Sequence, residues 1–157
     1  MPAQKLLAKV KPGEKGLFFC GKGNNAGDAL VVARYLVQHG INCILVFISG
    51  IDELSENTQK NFNLLSDIME KDEKRGTVTI HKSWEAFDPD TKADFIVSTE
   101  CLERYSIQTV RGDYSKAIRW INSTSPETRV YAIDIPTGLH GDSGIVMGRL
   151  CIGRYHL

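Results

Sequence analysis

The sequence predicts an α/β fold built on a mostly parallel sheet. Short apolar runs rich in β-branched residues alternate with segments of helical spacing over most of the chain. Such alternation implies βαβ units, whose crossovers are right-handed and whose strands run parallel. Two polar, glycine-containing turns also follow directly after apolar strands. In an open parallel sheet, this is the edge at which ligands bind.

The composition is that of an ordinary globular domain. The chain has 157 residues, of which 42% are hydrophobic and 24% charged, and its formal net charge is zero. We expect residues 1–157 to form a single domain, as is usual at this length. The neutral balance gives no indication of a nucleic-acid or membrane partner. The longest apolar run, Ile44 to Ile48, is too short to span a bilayer, and no secretory signal is visible.

The four cysteines are widely spaced and include no C-x-x-C pair. Cys20 and Cys43 lie in apolar, strand-like runs, where a reduced cysteine behaves as a small core residue. We therefore expect free thiols in a reducing compartment, rather than a disulfide framework or a zinc site. The cytoplasm is the expected location, and a mitochondrial location fits the same residues.

The first third of the chain is predicted to be an arm, a strand, a helix and a strand. Residues 1–15 are rich in lysine and contain two prolines, which favours a solvated arm. A strand is predicted at 16–21. A helix follows from Gly27 to about His39, and Gly40 ends it as a C-terminal cap. The β-branched run 41–49 predicts a strand that is buried on both faces.

The later elements follow from the same patterns. They are a helix at 55–70 with a solvated charged end, strands at 77–81, 93–99 and 129–135, and a short helical turn at 84–87. Asp113 is predicted to cap a helix over 114–123. Residues 100–112 are predicted to be irregular, and the chain contains no internal repeat.

The turn after the first strand carries the strongest functional signal. It reads Cys-Gly-Lys-Gly-Asn-Asn-Ala-Gly-Asp-Ala-Leu over residues 20–30. A helix start offers backbone N–H groups and a positive dipole end, which suit a phosphate group. Gly23 and Gly27 allow backbone angles or close approaches that a Cβ would obstruct. The spacing is not that of a Walker A loop, but it fits a dinucleotide loop with Ala26 in the third glycine position. The alternative is a tight turn with Asn24 or Asn25 as the N-cap.

A second polar turn follows the last predicted strand. It reads Asp134-Ile135-Pro136-Thr137-Gly138. Taken singly, Asp134 and Thr137 are equally well explained as turn or capping side chains. The carboxyl ends of parallel strands meet at one edge of a sheet, however, so two such strand ends favour a shared site.

Together the two turns resemble the YjeF N-terminal domain family, the NAD(P)H-hydrate epimerases. The first turn, followed by Ala33-Arg34, is similar to the family's G-x-G-N-N-G-G-D-G-L and Ala-Arg. The second, with Gly144 beyond it, is similar to D-I-P-S-G-L and its later glycine, and Asn61 fits as well. The resemblance covers about residues 16–148. It implies a Rossmann-like, three-layer α/β/α sandwich, and relative to the family we expect the domain to be shortened at both ends.

The resemblance implies an isomerase that repairs nicotinamide nucleotides. Its substrate would be NADH or NADPH carrying added water at C6 of the nicotinamide ring, and it would interconvert the R and S hydrates. The hydrate is a hemiaminal, so the ring nitrogen can help to expel the hydroxyl, and water can return to either face. Ring opening and reclosure is a second route. Either needs an acid/base group near the hydroxyl, and Asp134 is the candidate for this role or for holding the substrate hydroxyls.

The resemblance also assigns binding residues. Those that would contact the hydrate are Asn24, Asn25, Ala26, Gly27, Asp28 and Asp134, and those that would surround a potassium ion are Asn25, Ser98 and Thr137. Ser98 stands where the family pattern V-D-A-L-F-G-T-G has its aspartate. A neutral hydroxyl is a weaker cation ligand than a carboxylate, so this departure weakens the expected potassium site. Leu102 stands where the pattern has its first glycine, and Glu103 follows it in the same glycine-rich stretch.

Two other functions stay open. The altered stretch 98–105 favours a catalytically inactive module of the same fold, which would bind protein or RNA partners or form a homodimer. The third candidate is an NAD-dependent dehydrogenase. Such an enzyme needs an acid about 20 residues beyond the glycine loop. That acid would fall near Ile48 and Ser49, whereas the nearest carboxylate is Asp52, in a predicted turn.

Overall fold

The structure is a computed structural model, and it describes residues 2–21, 23–69, 75–99, 112–133 and 155–156. Helices and strands alternate within these ranges, as the apolar periodicity predicts. The helices are α1 (Pro2–Leu7), α2 (Asn24–Gln38), α3 (Glu56–Met69) and α4 (Gly112–Ser123). The strands are β1 (Lys15–Cys20), β2 (Asn42–Phe47), β3 (Val78–His81), β4 (Phe95–Ser98), β5 (Arg129–Ala132) and β6 (Tyr155–His156).

The strands form one sheet in the order β3-β2-β1-β4-β5-β6, and every described pair runs parallel. The predicted α/β fold with a parallel sheet is therefore confirmed. From β1 the chain first moves outward through β2 to β3, and it then returns to the other side of β1 at β4. This reversal of direction between β1 and β4 is the topological switch point of a Rossmann-like sheet.

Each face of the sheet carries its own core. On one face, α1, α2 and α3 pack against the strands, with Phe18 and Leu45 among the fully buried residues. On the other face, α4 packs against Leu17, Phe19 and Ile96. Neighbouring residues of β1 thus enter different cores, because side chains alternate along a strand. Burial on both faces explains why the strands appear in the sequence as continuous apolar runs.

The prediction of a solvated N-terminal arm is wrong. Residues 2–7 form α1, in which Ala3 and Leu6 are 0% exposed. Apolar residues three positions apart lie on one face of a helix, and here Gln4 and Lys5 lie between them and obscure that pattern in the sequence. Arg129 fastens the segment after α1: its Nη1 donates to the Lys9 carbonyl 2.5 Å away, and its Nη2 lies 2.7 Å from Oε1 of Glu14.

Several predicted boundaries move. α2 begins three residues before the predicted Gly27 start, and it ends as predicted, with Gly40 at φ +82° just beyond it. α4 begins at Gly112, so Asp113 is not its cap. Instead Asp113 lies in the first turn and pairs with Lys116 at 2.9 Å. The 84–87 segment is a single hydrogen-bonded turn. β6 was not predicted from the sequence.

Candidate functional site

The candidate site lies at the carboxyl ends of β1 and β4. These two strands are neighbours, with Phe19 of β1 in register with Ser98 of β4. The helix that follows β1 packs on one face of the sheet, and α4, the next described helix after β4, packs on the other. The strand order reverses between these two strands, and doubly wound sheets bind ligands at such a point. The first polar turn follows β1 at this edge.

The N-terminus of α2 faces this edge without a side-chain cap. Its N-cap is Gly23, with φ −77° and ψ −176°, and no side-chain capping bond is present. The alternative interpretation, with Asn24 or Asn25 as the N-cap, is therefore wrong, because both lie in the first helical turn. That turn contains no acidic residue either. The positive end of the helix dipole is thus not compensated by a local carboxylate, which favours an anionic ligand.

Two of the predicted substrate-binding residues are exposed at this edge and two are buried. Asn24 and Asp28 are exposed, whereas Ala26 and Gly27 are buried. The side chain of Asn25 lies outside the described part of the structure. The described loop therefore offers polar side chains to solvent while its small residues pack inward.

Gly27 makes the close approach that the sequence predicts for it. A Cβ added there would lie 3.2 Å from Nδ2 of Asn57 and 3.3 Å from Oγ1 of Thr58, both in α3. α2 and α3 can pack this closely only because the side chain is absent. At Gly23 the φ is ordinary and, among the described residues, nothing lies within 4 Å of an added Cβ. Neither the backbone angle nor a described contact therefore requires glycine there, and a close approach by a ligand stays a prediction.

Two buried threonines at the loop were missed by the sequence reasoning. Thr99 and Thr58 are both 0% exposed. The Thr99 hydroxyl accepts a hydrogen bond from the Gly21 N–H at 3.2 Å, and the Thr58 hydroxyl donates to the Gly23 carbonyl at 3.3 Å. A hydroxyl residue directly after the apolar run of β4 was the available signal for Thr99. The sequence offered no comparable signal for Thr58, because its contact joins elements distant in the chain.

Ser98 lies in β4 and is 1% exposed. It shares a sheet face with Phe19, and its carbonyl accepts a bond from the Ile133 N–H at 3.0 Å. Within the described residues no buried polar side-chain atom lacks a partner, and no cluster of His, Cys, Asp or Glu is arranged to hold a metal. The donor expected from β4 is thus a neutral hydroxyl that is already hydrogen-bonded. Potassium at this edge stays a prediction.

The second polar turn falls outside the described residues, and with it Asp134 and Thr137. The described chain reaches Ile133, whose N–H is bonded to the carbonyl of Ser98. The residue before Asp134 is therefore at the carboxyl edge of β4, as the shared-edge argument requires. The altered stretch after Thr99 likewise lies outside the described ranges, so the side chains of Leu102 and Glu103 receive no structural description.

The end of β2 lacks the acid that a dehydrogenase of this topology requires. β2 ends at Phe47, and Asp52 lies in a later, exposed turn. Ser49, which is nearer the strand end, hydrogen-bonds through its hydroxyl to the hydroxyl of Tyr114 in α4. A carboxylate at the end of β2 would bind a ribose hydroxyl, and the described residues provide none there. The described residues therefore do not meet the main structural requirement of an NAD-dependent dehydrogenase.

A cavity among the described residues lies at the opposite edge of the sheet, where the strands begin. Its volume is about 260 Å³, and it lies between the start of β4 and the end of α4, with Ala93, Trp120 and Thr128 in its lining. It is formed by elements other than those that carry the first loop. We place the candidate site at the carboxyl edge, because topology and loop chemistry coincide there.

Comparison with known proteins finds similar sequences. The family model described as YjeF-related protein N-terminus matches residues 3–153. A bifunctional NAD(P)H-hydrate repair enzyme Nnr from Salinibacter ruber is 33% identical over 144 residues, which are 86% of this chain and 25% of that protein. An NAD(P)H-hydrate epimerase from Pirellula staleyi is also 33% identical over 144 residues, with coverages of 90% and 60%. An NAD(P)H-hydrate epimerase from Lentilactobacillus buchneri is 30% identical over 136 residues, with coverages of 84% and 55%.

The fold agrees with a solved structure. The crystal structure of yeast ynu0 superposes with a TM-score of 0.67 at 19% identity, and the match covers 90% of this chain and 59% of that one. The chain spans little more than half the length of the epimerases it matches. In the described ranges, no helix is long and apolar enough to cross a membrane. The match of the family model over residues 3–153 shows that the chain belongs to the family of YjeF-related protein N-termini.

Proposed function

We propose that this chain catalyses the epimerisation of hydrated NADH and NADPH, interconverting the R and S forms at C6 of the nicotinamide ring. One observation carries the proposal: the Gly-Asn-Asn loop starts an uncapped helix at the switch point of the sheet. The chain also belongs to a family in which curated relatives are named NAD(P)H-hydrate epimerase.

The first loop would bind the dinucleotide part of the substrate. The N-terminus of α2 suits a phosphate group, and Gly23 and Asn24 at its start are exposed at the edge. Asn24, Asn25 and Asp28 would accept and donate hydrogen bonds to ribose and amide groups. Asp28 carries a negative charge, so we assign it to hydroxyl groups rather than to phosphate.

Asp134 would act first as the general acid and then as the general base. In its protonated form it would donate to the C6 hydroxyl while the ring nitrogen forms a double bond to C6 and the C6–O bond breaks. Water would then add to the other face of the planar iminium, and the carboxylate would take up the released proton. The step is balanced, because one proton is given and one returned. Ring opening and reclosure would use the same group.

Potassium is the proposed cofactor, held by oxygens of Asn25, Ser98 and Thr137. When bound, it would supply positive charge at the carboxyl edge. The proposed substrate is a soluble dinucleotide, so membrane and nucleic-acid partners form no part of the proposal. We place the protein in the cytoplasm, and a mitochondrial location is compatible with the same chemistry.

An epimerisation assay on separated R and S hydrates tests the proposal. The native protein should interconvert them faster than the spontaneous rate, and Asp134→Asn should fall to that rate while remaining folded. Potassium chloride is compared with choline chloride at equal ionic strength. A native protein that binds the hydrate without accelerating interconversion in either salt would overturn the proposal.

The alternative is a catalytically inactive module that binds proteins or RNA or forms a homodimer. The observation that favours it is Ser98, a buried hydroxyl where the family pattern has a carboxylate. Restoring the acid separates the two functions. If the native chain is inactive and Ser98→Asp gains potassium-dependent turnover, the active site has been lost at this position. If both are inactive and folded, the binding-module function is favoured.

A further inference from the structure

Thr99 joins the end of β4 to the end of β1. Its hydroxyl donates to the Phe19 carbonyl at 3.1 Å and accepts from the Gly21 N–H at 3.2 Å. Its own N–H also donates to the Phe19 carbonyl at 3.2 Å. A hydroxyl has one proton to donate and lone pairs to accept with, so a single side chain bonds the backbone on both sides of Cys20. All of this is buried, since Thr99 is 0% exposed.

Thr58 holds the other end of the same loop. Its hydroxyl donates to the carbonyl of Gly23, the N-cap of α2, at 3.3 Å. It also accepts a bond from the Ser55 hydroxyl at 2.9 Å, and the Thr58 N–H donates back to that hydroxyl at 3.2 Å. The two bonds to Ser55 fix the orientation of the Thr58 side chain that contacts Gly23. The first turn of α3 therefore fixes the residue from which α2 starts.

We propose that Thr99 and Thr58 are positioning residues that set the conformation of the substrate-binding loop. The loop backbone at Gly21 and Gly23 is bonded to two different elements, so it cannot move relative to the sheet without breaking the buried bond at Gly21 or the partly buried bond at Gly23. Threonine suits this task, because its branched Cβ restricts χ1. The ligand part of this proposal rests on the proposed function.

The test compares the isosteric Thr99→Val and Thr58→Val with Thr99→Ser and Thr58→Ser, which keep the hydroxyl. Thr124→Val is the matched control, because the Thr124 hydroxyl donates to the Ile121 carbonyl at 2.6 Å, beyond the far end of α4. Three quantities are measured for each variant: KM and kcat for hydrate epimerisation, the midpoint of thermal unfolding, and the exchange rate of the Gly21 amide by NMR.

Removing either hydroxyl should raise KM by about fivefold to tenfold, the effect of losing its hydrogen bond to Gly21 or to Gly23. The change in kcat should be smaller, and the serine variants should recover most of the loss. Exchange of the Gly21 amide should accelerate about tenfold in Thr99→Val but not in Thr58→Val. Thr124→Val should lower the unfolding midpoint while leaving KM and the Gly21 amide unchanged.

Two results would overturn the proposal. One is an unchanged KM in both valine variants of an active enzyme. The other is a KM that rises equally in Thr124→Val, which would show a general loss of stability rather than loop positioning. The amide exchange rate distinguishes this failure from that of the proposed function. Measuring this rate needs no turnover. If the native protein is inactive but Gly21 exchange is faster in Thr99→Val, the positioning role of Thr99 is supported and only the epimerase function is excluded.

Discussion

Replacing Gly27 by alanine should leave stability nearly unchanged and yet weaken substrate binding. The new Cβ would lie 3.2 Å from Nδ2 of Asn57, 3.3 Å from Oγ1 of Thr58 and 3.6 Å from Cα of Thr58. The Asn57 side chain is exposed and can rotate away at little cost. Thr58 cannot, because it is fully buried and its hydroxyl is engaged with Ser55 and Gly23. The close contact made by the added Cβ must therefore be relieved by a movement of Thr58.

Two opposing contributions set the size of the effect. Alanine in a helix interior is favoured over glycine by about 1 kcal/mol. Against this, relieving the contact pushes the Thr58 hydroxyl away from the Gly23 carbonyl, and their bond is already long at 3.3 Å. Its loss costs about 0.5–1.5 kcal/mol. The net change in the free energy of unfolding should be within about 1 kcal/mol, or roughly 2–4 °C in the unfolding midpoint.

A double-mutant cycle isolates the contact. Once Thr58→Ala has removed the obstruction, Gly27→Ala should stabilise the protein by about 1 kcal/mol, its full helix propensity. The two substitutions should therefore couple by roughly 1 kcal/mol in urea unfolding, and KM for the hydrate should rise in each single variant, because each disturbs the bond between Thr58 and Gly23. Additive stabilities together with an unchanged KM in Gly27→Ala would refute the argument that α3 controls the loop through this contact.

Three further predictions concern the core and the carboxyl edge. Leu6→Ala should cost about 2–5 kcal/mol in urea unfolding, whereas the exposed Lys5→Ala should cost at most about 0.5 kcal/mol; equal small losses would contradict the assignment of α1 to the core. Burial raises the pKa of the Cys43 thiol, so the folded protein keeps a proton that the unfolded chain releases near its ordinary pKa of about 8.5. Stability should fall as pH rises above that value, and more steeply than in Cys43→Val; identical slopes would contradict this. Ser98→Asp places a carboxylate in a buried strand, so its unfolding midpoint should drop and potassium should restore it more than choline does; equal midpoints in the two salts would argue against a cation there.

The sheet could be predicted because burial on both faces makes each strand a continuous apolar run. The helices could be predicted where apolar residues recur at helical spacing, as in α3 and α4. α1 could not, since the polar Gln4 and Lys5 separate the two fully buried residues Ala3 and Leu6. β6 could not either, because it is two residues long and exists only through its pairing with β5.

The location of the first loop could be predicted, but its attachments could not. Glycine and asparagine residues after a strand indicate a turn at the ligand-binding edge of the sheet, whichever residues that turn contacts. The bond from Gly21 to Thr99 spans 78 positions and that from Thr58 to Gly23 spans 35. Threonine in either place is locally unremarkable. Only the packing of β4 and α3 against the loop gives these hydroxyls their partners.

Two tryptophans that pack on one face of the sheet can serve as intrinsic fluorescence probes. The chain has two tryptophans, and both contact Phe19, with ring centroids 6.3 Å away for Trp84 and 5.6 Å away for Trp120. The Phe19 carbonyl is the acceptor for the Thr99 hydroxyl. Displacement of the end of β1 by a docking ligand would therefore change the environment of both indoles. Intrinsic fluorescence and near-ultraviolet circular dichroism should report occupancy of the loop without any label.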